Sequence, residues 1–150
     1  MIDRYELLSL AVSSMYHDIQ KIERVEMAKF GLKGPHAQCL LALSRYSQGL
    51  TSSQLCEICD KDKAAISRTV SELEQAGMVL RSDRNGNRYR AVLTLSPQGA
   101  AAAQSVSERA QVAVEQAGIG LDDGQRKVFY QVLALIAGNL HAICKDGLSK

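Results

Sequence analysis

The 150-residue sequence has no long uninterrupted apolar run, and its start, MIDRYELLSL, lacks a basic stretch followed by an apolar block. The first absence argues against a membrane span and the second against a secretory signal, so the expected location is the cytoplasm. Charge of one sign is not in excess. Eighteen basic residues face sixteen acidic ones, and a net +2 is too small to argue for a nucleic-acid partner by itself. Repeats and low-complexity segments are missing. So are a Ser-His-Asp pattern, a phosphate loop and a paired-carboxylate site, which weighs against an enzyme. Cys56 and Cys59 make one CxxC, with no second CxxC and no downstream histidine pair at zinc spacing. His17, His36 and His141 lie far apart and form no local ligand cluster. No cofactor or metal is expected.

What is present is a strong helical period. Leu8, Val12, Met15, Ile19 and Ile22 recur at three- and four-residue steps, predicting a long helix from about Asp3 to Lys29. Gly31 and Gly34-Pro35 break it, with Pro35 suited to the first position of a second helix running to Tyr46. Thr51-Ser52-Ser53-Gln54 is a capping box that opens a short third helix with Leu55, Ile58 and Cys59 as its apolar positions. Asp62 is a candidate N-cap for a fourth helix, with Ile66, Val70 and Leu73 as its buried stripe and Gly77 as its left-handed stop. Met78-Val79-Leu80 and Tyr89 to Leu95 then read as strands around the polar turn Ser82 to Asn87, which contains Asn85-Gly86. Ser96-Pro97 opens an alanine-rich fifth helix to about Ala117. Asp122 to Gln125 caps a sixth, apolar helix to about Ile143.

The fold class is therefore mainly α, with a winged helix-turn-helix lobe and a two-stranded β wing. The expected organisation is an N-terminal dimerisation helix over 1–34, the winged lobe over 35–96 and C-terminal linker and dimerisation helices over 97–150. Two short helices joined by a tight turn can present the second to a DNA major groove. Its candidate contacts are Lys61, Lys63, Ala64, Ala65, Ser67 and Arg68. The alanines permit close approach, and Arg68 would reach a base or a phosphate. Ser52 and Ser53, at the start of the third helix, are candidates for phosphate contact. The basic residues are concentrated here and in the wing: Arg81 to Arg90 holds four arginines and one acid, whereas the first 34 residues balance five of each sign. Arg84, Asn85, Asn87, Arg88 and Arg90 are candidate wing contacts for a minor groove, Arg88 first among them. Arg90 has an alternative partner in a phosphate or an acid within the lobe.

The stretch LTSSQLCEICDKDKAAISRTVSELEQAGMVLRSD followed by RYRAVLTLSPQG resembles the multiple-antibiotic-resistance regulator (MarR) family, as does the upstream GLKGPHAQCLLAL. The helix order is similar over nearly the whole length. The resemblance implies a homodimeric transcription regulator, with terminal helices paired across a two-fold axis and two winged lobes on a pseudo-palindromic stretch of double-stranded DNA. It implies repression, and a small-molecule effector that modulates binding from a pocket where dimerisation and DNA-binding parts meet; Tyr16 and His17 are candidates for lining it. In the family pattern Cys56 falls on a small packing position and Cys59 on a core position. The residues leave two alternatives open: a redox- or metal-sensing regulator on the same fold, with Cys144 as the reactive thiol or the histidines as the switch, and a winged-helix module that binds protein rather than DNA.

Overall fold

The computed structural model describes residues 3–82 and 90–149. Its elements in chain order are α1 (Arg4–Ala28), α2 (His36–Arg45), α3 (Ser52–Cys59), α4 (Lys63–Gln75), β1 (Val79–Ser82), β2 (Val92–Leu95), α5 (Pro97–Ala117) and α6 (Asp123–Asp146). The chain divides into two compact units, 1–110 and 111–150.

Local chemistry sets most of these boundaries. The Thr51 hydroxyl accepts the Gln54 amide while the Gln54 side chain accepts the Thr51 amide, so α3 begins with a complete capping box. Asp62 caps α4 by accepting the Ala65 amide at 2.7 Å. The Ser96 hydroxyl caps α5 by accepting the Gly99 amide at 3.0 Å, and it donates to the Gly77 carbonyl at 2.6 Å, tying the end of the α4 turn to the start of α5. Asp122 and Gln125 form the second capping box, at α6. Pro35 sits at the N-cap rather than at the first helical position, and α2 starts at His36, as the sequence suggests, and ends one residue before Tyr46.

In the first unit α2, α3 and α4 close around a core of Met27, Leu40, Leu55, Val70, Leu73 and Leu93, each fully buried. Ile66, Val70 and Leu73 supply the buried stripe of α4, as their spacing predicts. β1 and β2 pair antiparallel, with Val79 opposite Leu95 and Ser82 opposite Val92. The sheet differs from the sequence reading at both inner ends. Ser82 is in β1 rather than in the turn, because it pairs with Val92. β2 begins at Val92, while the backbone at Arg90 and Ala91 is not strand. Leu50 forms a further bridge to Leu93 and fastens the α2–α3 connection to the sheet. Ile58 is the other departure. It lies on the exposed side of the short α3, whose core contact is made by Leu55.

The second unit consists of the end of α5 and α6. Its apolar residues are exposed in the single chain: Phe129, Leu133, Ile136, Leu140 and Ile143 recur along α6 at steps of four and three, each more than a third exposed. Among the described helices α6 alone is long and apolar enough, by length and composition, to cross a membrane.

Candidate nucleic-acid interface

The α3–α4 turn is three residues long and made without glycine. Asp60 takes the left-handed conformation, at φ 50°, and is the only described non-glycine residue with positive φ. Aspartate tolerates that region better than most residues. The Lys61 amide then reaches back to the Cys56 carbonyl at 3.1 Å, closing the end of α3. Asp62 immediately starts α4, so the second helix leaves the lobe at a set angle.

The consequence is a polar, outward face at the start of α4. Lys61, Lys63, Ala64, Ser67 and Arg68 are exposed and Ala65 is half-buried, while Ile66, Val70 and Leu73 are turned into the core. Small side chains at Ala64 and Ala65 leave the helix surface low beside the basic residues. Among the described residues Arg68 makes no hydrogen bond or ion pair. Ser52 and Ser53 occupy the first two positions of α3, the former half-buried and the latter exposed. Arg90 is exposed at the foot of the wing. Arg84, Asn85, Asn87 and Arg88 lie outside the described residues.

Behind this face runs a groove of about 780 Å³ between α1, the start of α2, the α3–α4 turn and α4. Its apolar floor includes Ile19, Cys39, Ile58 and Ile66. Tyr16 lines it, and the Tyr16 hydroxyl accepts from Lys61 Nζ at 3.4 Å. His17 does not line the groove, although its ring centroid is 6.4 Å from that of Tyr16. The groove's charged rim mixes signs, with Arg24, Lys33 and Arg68 on one side of the balance and Glu23, Asp60 and Glu72 on the other.

One cluster in this groove is invisible to sequence spacing. His36 is buried, and its Nε2 donates to Glu72 Oε2 at 2.7 Å. Lys33 Nζ donates to Glu72 Oε1 at 3.3 Å. The two hydrogen bonds, that from His36 first, hold the Glu72 carboxyl below the ordinary carboxylate range.

The four cysteines are free. Cys39 is buried, and loss of solvent pushes its thiol up to about 12. Cys56 and Cys59 are partly buried against the core, and burial raises the Cys59 thiol as well. Cys144 is exposed on α6. Among the described residues no three His, Cys, Asp or Glu side chains converge as a metal site.

Residues 30–88 match the model of the MarR family, from the loop ahead of α2 through α4 and β1 into the wing. The segment is similar to a MarR-family winged helix. The fold of the whole chain agrees: a MarR-family transcriptional regulator from Listeria monocytogenes, solved in complex with a 26mer DNA, superposes with a TM-score of 0.83 at 16% identity, covering 100% of this chain and 99% of that one. A MarR transcriptional regulator from Methanosarcina mazei Go1 gives 0.83 at 22% identity over 92% of this chain and 99% of its own. A MarR-family regulator from Silicibacter pomeroyi gives 0.78 at 20% identity, covering 92% of each. No curated protein matches the sequence. The matched stretch here has a helix-turn-helix built on Thr51, Asp60 and Asp62 and the strand β1, and the six helices of the chain follow the fold of these structures.

Proposed function

We propose that this protein is a transcription regulator that binds double-stranded DNA as a homodimer and represses from a pseudo-palindromic operator. The observation that carries this reading is the exposed start of α4, where Lys61, Lys63, Ser67 and Arg68 flank two alanines while the opposite stripe is buried. A helix so presented enters a major groove with its first turns against base edges. Phosphate contacts from the lysines and from the α3 serines supply affinity, and edge contacts from α4 supply specificity. The wing residues Arg84, Asn85, Asn87, Arg88 and Arg90 reach the neighbouring minor groove.

A second copy of the chain covers the apolar stripes of the terminal helices. Leu8, Val12, Met15, Ile19 and Ile22 on α1 repeat the four-three spacing of the α6 stripe, and all are at least 40% exposed in the single chain. That spacing is the seam of helices that pack on helices. It accounts for the apolar α6 without a membrane. The terminal segments 1–34 and 97–150 are in this reading the dimerisation parts, and 35–96 the DNA-binding lobe. A small-molecule effector modulates DNA affinity from the groove behind α4, with Tyr16 on its wall.

The test is fluorescence anisotropy of the purified protein on the intergenic DNA upstream of its own coding region, beside a scrambled duplex, across a salt series. Expected is selective binding whose log affinity falls with log salt by roughly 0.9 per phosphate neutralised. Absence of binding to either duplex at low salt would overturn the reading in favour of a protein partner.

A further inference from the structure

Glu72 is an acid on α4 itself, one turn beyond Arg68 and on the same side, since both line the groove behind α4. At i and i+4 an arginine and a carboxylate are natural partners. Yet Glu72 is bonded elsewhere. His36 Nε2 takes Oε2 at 2.7 Å and Lys33 Nζ takes Oε1 at 3.3 Å, so both carboxylate oxygens are occupied from outside α4. The direction of the histidine bond is set by its other nitrogen. The Lys33 amide donates to Nδ1 at 3.0 Å, which leaves Nε2 to carry the proton and donate. Two further charges around the groove have engagements of their own. Glu23 of α1 accepts from Gln38, and Lys61 of the α3–α4 turn donates to the Tyr16 hydroxyl.

We propose that Lys33 and His36 are positioning residues for DNA binding: by capturing both oxygens of Glu72 they keep its carboxylate off Arg68 and leave that guanidinium available to DNA. The device rests on the DNA-binding reading above. It makes a prediction that a simple brace between α2 and α4 does not. A brace fails when either partner is lost. Here loss of His36 releases a competing anion, whereas loss of the Glu72 charge removes the competitor.

The experiment measures anisotropy on the same upstream duplex at fixed salt for R68A, H36L, H36Q, E72Q and H36L/E72Q, with a thermal melt of each variant. H36L is expected to weaken binding roughly three- to tenfold, short of or equal to the loss in R68A, and to lower the salt slope by up to about one. H36Q, which keeps a donor near the Nε2 position, binds as the unaltered protein does. E72Q binds at least as tightly as the unaltered protein, and H36L/E72Q recovers the affinity lost in H36L. Should H36L melt below the assay temperature, K33M and K33M/E72Q carry the same comparison, Lys33 being exposed. The proposal is overturned if E72Q weakens binding as H36L does, if the double variant shows no recovery, or if H36L binds normally. An R68A protein that binds like the unaltered one would instead overturn the assignment of α4 as the DNA-reading helix.

Discussion

Gly99, in the first turn of α5, lies directly against the backbone of Met78, so that a β-carbon at 99 would collide with the Met78 carbonyl oxygen and stand 2.9 Å from its carbon. The obstacle is backbone and not a movable side chain. The Ser96 amide also donates to that same Met78 carbonyl at 3.0 Å, which holds it in place. Gly99→Ala is therefore expected to destabilise the fold by about 1–3 kcal/mol, the range of overpacked sites. Urea denaturation checks this; an unchanged midpoint would mean that β1 and α5 part easily.

At the surface proposed to face DNA two basic residues are expected to behave differently. Lys61, on the turn and tethered to the Tyr16 hydroxyl, suits a phosphate contact. Lys61→Ala should weaken binding to the upstream and scrambled duplexes alike and reduce the salt slope by about one. Arg68→Ala should cost about 1–3 kcal/mol on the upstream duplex, the scale of a lost bidentate contact. Comparison of the two duplexes then tells whether Arg68 reads a base or holds a phosphate.

Acid stability should depend on Glu26. Its side chain is only 9% exposed, accepts from Lys29 at 2.7 Å and from Arg109 at 3.4 Å, and the Lys29 bond is the foremost cause that holds its carboxyl below the ordinary glutamate value of 4.5 despite burial. A carboxyl whose folded value is depressed stabilises fully above its unfolded value and loses that contribution as pH falls through the folded one. Glu26→Gln should lower the thermal midpoint at neutral pH, and the gap to the unaltered protein should narrow as pH falls below 4.5. A gap independent of pH would show that packing rather than charge is at stake.

Thiol chemistry should divide sharply. Cys144 is exposed, while burial lifts the Cys39 thiol to about 12, leaving almost no thiolate at neutral pH. In a timed reaction with a disulfide reagent at neutral pH, Cys144→Ser is expected to remove the fast phase, and Cys39 to react only on unfolding. Loss of DNA affinity on oxidation of the native protein, abolished in Cys144→Ser, would favour the redox-sensing alternative.

The oligomeric state provides a fifth test. Leu133 and Leu140 lie on the exposed α6 stripe. Leu133→Glu/Leu140→Glu should convert a dimer into monomers in light scattering. It should also cut affinity for a two-half-site duplex far more than for a half-site, because the second contact is no longer intramolecular. A variant that stays dimeric would move the interface off α6.

The starts of α3, α4, α5 and α6 were legible at Thr51, Asp62, Ser96 and Asp122 because a cap is a bond between a side chain and an amide three residues away. The stripe Ile66, Val70, Leu73 was legible for the same reason: helical period is local. With the caps and the stripe comes the placement of the helix proposed to read DNA. Tertiary structure decided what no spacing encodes. Ile58 fits an apolar period but faces out, because an eight-residue helix offers the core only one side, which Leu55 takes with Cys56 and Cys59 packed beside it. β2 begins at Val92, leaving Arg90 and Ala91 outside it, since strand ends follow from the partner's register with Ser82. Tyr16 meets Lys61, and His36 and Lys33 meet Glu72, across separations of more than thirty residues. Such pairs exist only once α1, α2 and α4 have packed. The sequence by itself thus determined which helix is presented and with which side chains. Only the fold decided which of those charges are already engaged, because an ion pair between distant segments depends on the packing that brings them within a few ångströms.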